Sequence, residues 1–187
     1  TMDAHGAKQN GNAGLSTETC WSQPYTTQAM IKGLANSGIK TIRIPVSWHN
    51  HITDTNNYTI DSAWMTRVKT IVDWAIEEDM YVILNIHHDN SEDKNLQYGF
   101  YPNSQNKSES IKFLTSIWNQ ICKTFNNNYD EHLIFEVMNE PRLVGDEHEW
   151  SFKSDCATCK DCINCVNEFN QECLNVIRAS GGNNTER

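Results

Sequence analysis

Several broad classes are excluded by what this chain lacks. No apolar run approaches 18 residues, so no segment reads as a membrane-spanning helix. No signal-peptide pattern opens it, although a leader can already have been removed. Neither G-x-G-x-x-G nor G-x-x-x-x-G-K-[ST] occurs, which counts against nucleotide-binding folds. Positive charge is scarce. Fifteen Lys and Arg against 24 Asp and Glu leave a net charge of −9, the wrong sign for a nucleic-acid surface. There is no repeat of 20–50 residues, no low-complexity tract and no linker. The 187 residues are enough for one domain with its own core.

Alternation is what the chain has instead. Residues 1–25 are rich in Gly, Asn and Thr and read as a long loop carrying Trp21. Thr26 or Thr27 caps a helix to about Asn36, and Gly38 ends it. A strand follows over Thr41–Trp48, then a helix from Asp61 to about Asp79 with Met65, Val68, Val72, Ala75 and Ile76 as its apolar stripe. A second strand, Tyr81–Asp89, leads through the loop 90–106 to a helix capped by Ser108, in which Ile111, Leu114, Trp118, Ile121 and Phe125 keep three/four spacing. The third strand runs from Leu133 to Glu140. A polar loop with Trp150 and a last helix from about Asp161 to Ala179 complete the order. Apolar strands alternating with amphipathic helices predict an α/β fold with a parallel sheet covered on both faces.

Each strand ends in polar groups. Arg43 interrupts the first, His87, His88 and Asp89 close the second, and Asn139-Glu140 close the third before Pro141 stops the ladder. Tips of neighbouring parallel strands lie about 5 Å apart per strand step, so these side chains are expected around one cleft. A buried arginine calls for a carboxylate partner, which points equally to a structural ion pair. Glu140 suits a general acid, Asn139 a sugar-hydroxyl partner, and Arg43 an anchor that holds a second carboxylate ionised. Trp21, Trp48, Tyr98, Tyr101 and Trp150 are candidates to stack on sugar rings. This is half of a glycosidase site.

The segments Ile42-Arg-Ile-Pro45, Asn85-Ile-His-His-Asp89 and Phe135-Glu-Val-Met-Asn-Glu-Pro141 resemble glycoside hydrolase family 5, the retaining cellulase-type endoglucanases, most of all those of rumen fungi and clostridia. The resemblance implies a (β/α)8 TIM barrel, of which the chain would cover about strands 2 to 4 with their helices. The first strand and strands 5–8 would lie outside residues 1–187. By the same resemblance Glu140 is the acid/base, Asn139 binds the substrate 2-hydroxyl and Arg43 supports the nucleophile. His87, with His88 beside it, lines the subsite, and Trp21 is a platform. The substrate implied is a β-glucan or cello-oligosaccharide, the complete protein a monomer that needs no cofactor. The nucleophilic Glu would lie outside this chain, so the 187 residues alone are expected to be inactive and poorly stable, with an exposed sheet edge on each side. Two other classes stay open: a metal or redox module built on the cysteines, and a carbohydrate-binding barrel without chemistry.

Seven cysteines are many for this length, and five lie within Cys156–Cys173. Cys156, Cys159, Cys162 and Cys165 form C-x2-C-x2-C-x2-C, which departs from the ferredoxin spacing and from the paired C-x2-C motifs of zinc sites. Disulfides or core thiols are the simpler expectation, with no metal site. With sequons at Asn57, Asn106 and Asn183, they lean toward a secreted, extracellular protein of eukaryotic origin. His87-His88-Asp89 is a poor metal triad if adjacent strand residues face opposite ways.

Overall fold

A computed structural model of the chain describes Met2 and residues 14–187. The start of the expected N-terminal loop lies outside the described residues. Its remainder is not all irregular, because Gly14–Thr19 form a 3-10 turn.

The four helices among the described residues are each apolar on one side, and short polar side chains cap the first two. Thr27 Oγ1 accepts the Met30 N–H at the start of α1 (Gln28–Asn36), and Asp61 accepts the Ala63 and Trp64 N–H groups at the start of α2 (Ser62–Glu77). Two later starts differ from expectation. Helix α3 (Lys107–Thr124) begins one residue before Ser108, behind Asn106, which makes no side-chain cap bond. Helix α4 (Ala157–Ala179) begins four residues before Asp161, because Cys156 caps it, its Sγ accepting the Cys159 N–H. Sulfur is a weak acceptor and not a standard cap, so composition hides this start.

Three strands, β1 (Thr41–Ile44), β4 (Tyr81–Asn85) and β5 (Leu133–Glu136), form a parallel sheet in the order β1-β4-β5. Ile42 faces Val82 and Val82 faces Leu133, while Asn85 faces Glu136. Between β1 and α2, β2 (Ile52–Asp54) and β3 (Thr59–Ile60) form a small antiparallel hairpin, too short and polar to show a period in the sequence. Met2 extends the sheet past β1 through a parallel bridge to Val46.

All three sheet strands stop about four residues earlier than expected. Side chains take over the backbone groups at the tips: the Val46 N–H goes to Asn85 Oδ1, and the Trp48 N–H to Asp89 at 2.9 Å. Below the tips, Trp64, Trp118, Phe113, Phe125 and Phe169 are buried with Val82 and Leu84 in one core. Burying each such side chain contributes about 1.5–3 kcal/mol, which makes helix-on-sheet packing the main support of the tips. Among the described residues no helix is long and apolar enough to cross a membrane.

Candidate active site

The expected polar residues meet where the strands end. Arg43 leaves β1 toward β5 and grips Glu136 with two hydrogen bonds, Nε to Oε2 at 2.7 Å and Nη2 to Oε1 at 2.5 Å. The same Nη2 donates to Asn139 Oδ1 at 2.8 Å. The carboxylate that the arginine called for is therefore Glu136. Hydrogen bonds from Arg43 hold the Glu136 carboxyl below its usual range, against the opposing effect of burial. Because Asn139 Oδ1 accepts from Arg43, its NH2 remains the group that can donate to a ligand.

Asn85, buried at the end of β4, links the strands and was missed as a site residue. Its Oδ1 accepts the Val46 N–H, which orients the amide, and its NH2 donates to Glu136 Oε1 and His87 Nδ1, each at 3.1 Å. A nitrogen that accepts at Nδ1 carries its proton on Nε2, so His87 is set as a donor through Nε2. A polar Asn inside an otherwise apolar strand was the available signal.

Glu140 sits beyond the sheet in the left-handed region, φ 43°, a conformation that costs about 1–3 kcal/mol for a residue with a side chain. Arg142 braces it from behind, donating from Nη1 to the Glu140 carbonyl at 3.2 Å and to Oε2 at 3.3 Å. Glu149 in turn holds Arg142 Nε at 2.8 Å. Glu140 itself is 63% exposed. Strand alternation therefore does not relate Glu136 to Glu140: the strand ends at the first, and the second is placed by a turn.

The aromatic candidates divide. Trp21 is half exposed, its ring 6.5 Å from that of His88, and His88 touches His87 at 4.4 Å between ring centroids. The two histidines are thus neighbours and do not face apart, since both lie past the end of β4. Tyr98 stacks on His49 at 4.3 Å, and burial pushes its hydroxyl pKa up to about 12. Trp48 and Tyr101 do not fit the stacking expectation. Trp48 is fully buried with its indole N–H on the Asn85 carbonyl, and Tyr101 is buried with its hydroxyl on the Val144 carbonyl. A ring with no open face cannot receive a sugar. Asp89 is buried too, accepting from the backbone and ring of His49 and from the Trp48 N–H, a loop anchor and not a ligand group. Gly99 locks that anchor: at φ +63° its Cα lies so close to the Asp89 carbonyl that a side chain has no room.

The cysteine run is also revised. Cys122, Cys156, Cys159, Cys162, Cys165 and Cys173 are unbridged thiols, four of them strung along the first turns of α4. Of the two expected states, disulfide or core thiol, Cys165 and Cys173 take the second and pack in the core.

Comparisons with known proteins agree with this geometry. The family model for cellulase (glycosyl hydrolase family 5) matches residues 2–185. The chain is 43% identical over 189 residues to endoglucanase B of Ruminococcus albus, covering all of this chain and 41% of that protein. It is 42% identical over 173 residues to endoglucanase B of Neocallimastix patriciarum, covering 92% and 34%. A family 5 lichenase from Caldicellulosiruptor sp. F32, solved with cellotetraose, superposes with a TM-score of 0.92 at 43% identity, over all of this chain and 48% of that one. A broad-specificity endoglucanase from Ruminococcus champanellensis with bound cellotriose superposes at 0.87, with 41% identity over all of this chain and 51% of the other. The chain thus spans about a third to a half of the length of the relatives it matches. With a family match over nearly every residue, and Arg43, His87, Asn139 and Glu140 gathered at the tips of parallel strands, the chain belongs to glycosyl hydrolase family 5 and carries part of its (β/α)8 barrel.

Proposed function

We propose that the protein to which this chain belongs is a retaining endo-β-1,4-glucanase acting on cellulose or a related β-glucan. The observation that carries this is the tip of β5, where Asn139 is fixed by Arg43 and Glu140 is held just beyond it by Arg142. Glu140 gives its proton to the glycosidic oxygen as that bond breaks. A second carboxylate bonds to the anomeric carbon, and Glu140 then takes a proton from water as the water displaces that carboxylate. The second carboxylate has to stand about 5–5.5 Å from Glu140. Glu136 is poorly suited to it, because Arg43 already engages both its oxygens. The nucleophile is assigned to a part of the barrel outside residues 1–187.

Asn139 donates to the sugar 2-hydroxyl, His87 presents Nε2–H to the same ring, and Trp21 with His88 receives a sugar face. The relatives solved with cellotetraose and cellotriose support a cello-oligosaccharide as the bound form. The protein is further assigned as a secreted monomer that binds neither nucleic acid nor membrane and uses no cofactor. Glu140→Gln in the complete protein tests the central role. Hydrolysis of carboxymethyl cellulose should fall at least about 10³-fold while cellotetraose binding changes little. Undiminished hydrolysis would remove Glu140 from the mechanism, and a parent protein that binds cellotetraose without cleaving it would make the barrel a binding module.

A further inference from the structure

Helix α4 opens with four cysteines at intervals of three residues. Four thiols on one helical run cannot wrap a tetrahedral ion. The fold selects two of them and supplies a different partner. His148, from the loop that follows Glu140, meets Cys156 and Cys159 so that one ring nitrogen and two sulfurs all lie within 4.8 Å of one another. Ligand atoms sharing one tetrahedral zinc are roughly 3.5–3.8 Å apart, so closing on an ion takes about an ångström of side-chain rotation. Cys162 lines the adjoining cavity but stands outside the group.

Two further contacts prepare these side chains for a metal. His148 Nδ1 is bonded to Asp146 Oδ1 at 2.7 Å, and Asp146 is itself fixed by the His148 backbone N–H at 2.9 Å. A carboxylate on one ring nitrogen is the usual outer support of a metal-bound imidazole, and it leaves Nε2 as the nitrogen available to an ion. Cys156 Sγ accepts the Cys159 N–H at 3.0 Å at the N-terminus of α4, where the helix dipole favours a thiolate.

We propose that His148, Cys156 and Cys159 form a zinc site that staples the loop 142–156 to helix α4. One imidazole and two thiolates are a borderline-soft donor set that suits zinc over magnesium or calcium, and three protein ligands leave a fourth position to water. The site is linked to the acid residue through the Arg142–Glu149 pair. The cavity next to it, about 190 Å³, is lined by Arg142 and Glu149, the pair that braces Glu140, together with His148 and Cys159. Zinc would hold that brace in register without touching substrate. The site does not depend on the glucanase assignment.

The test uses the complete protein, expressed with added zinc and purified anaerobically without chelator. Metal per chain is measured by inductively coupled plasma mass spectrometry in the parent, in the double variant C156S/C159S, and in C122S as a thiol control. The parent and C122S should each carry one zinc more than the double variant. Cobalt loading should give a thiolate charge-transfer band that the double variant lacks. Asp146→Asn should keep the fold and lose zinc to a competing chelator about 10-fold more readily. Equal zinc in parent and double variant, or a Cys156–Cys159 disulfide in the purified parent, overturns the site.

Discussion

Two arginine–glutamate clamps in this molecule use the same atoms for different ends. In one, Arg67 on α2 reaches Glu18 with Nε to Oε2 at 2.8 Å and Nη2 to Oε1 at 3.0 Å, and Glu18 is fully buried. In the other, Arg43 holds Glu136 with the same two-pronged geometry, but both side chains are about one-third exposed. Burial by itself would raise the Glu18 carboxyl, yet Arg67 and the Thr26 N–H hold it below the usual range. The first clamp ties the segment before α1 to α2. The second sits among the strand tips and spends its spare N–H on Asn139. Burial decides which clamp carries stability, since a desolvated charge without its partner costs several kcal/mol and a half-wet one almost nothing.

The sharpest way to break the comparison is Arg67→Met. It strands the buried Glu18 carboxylate and should cost the complete protein about 3–5 kcal/mol by urea unfolding, with kcat unchanged in the fraction that remains folded. A loss below 1 kcal/mol would show that Glu18 is solvated or protonated without its partner.

Acid comes next. His51 is stacked on Trp64 at 3.7 Å, and burial lowers its pKa to about 4. Below the ordinary value near 6.5 the unfolded chain takes up a proton that the folded chain refuses, so stability falls with pH from about 6.5 toward 4, by up to about 3 kcal/mol. Glu18 and Glu136, whose pKa values are depressed, contribute stability that is present above their ordinary value of 4.5 and lost only below it. The two windows are separable by urea midpoints across pH. His51→Gln should flatten the upper window alone, and an unchanged slope there would assign it to another group.

Arg43→Met completes the contrast. Stability should change by no more than about 1 kcal/mol, while turnover falls about 10²-fold because Asn139 and Glu136 lose their common anchor. A variant destabilised by several kcal/mol whose folded fraction turns over normally would merge the two clamps into one structural class.

Much of this was legible beforehand because it depends on local pattern. Helix stripes such as Val68, Val72 and Ala75, the caps at Thr27 and Asp61, and the order of apolar strands follow from side-chain period and capping chemistry. So did the convergence of Arg43, His87 and Asn139-Glu140, which needs only that parallel strands end on the same side. What escaped were the pairings. Nothing near Glu136 in the chain announces that Arg43, 93 residues away, will hold it, or that Asn85 will bridge both.

Trp48 and Tyr101 looked like sugar platforms, since an aromatic side chain in a polar stretch has the same composition whether its face is open or packed. The burial of those two rings was settled by long-range contacts, Trp48 bonding the Asn85 carbonyl of β4 and the Tyr101 N–H bonding Ser110 of α3. The cysteines show the same division. Their spacing showed four thiols at three-residue intervals, but only Cys162 and Cys165 fell within the helix expected from about Asp161; the cap at Cys156 brought the other two to its start. Which of them meet a histidine depended on how the loop after Glu140 folds back on α4, a long-range contact that local spacing does not encode. The sequence by itself determined the main helices and sheet strands, their order and the chemical kinds of group at the strand tips. Tertiary structure decided who pairs with whom, which rings stay open and which charges are dry, because those depend on desolvation and distance between segments far apart in the chain.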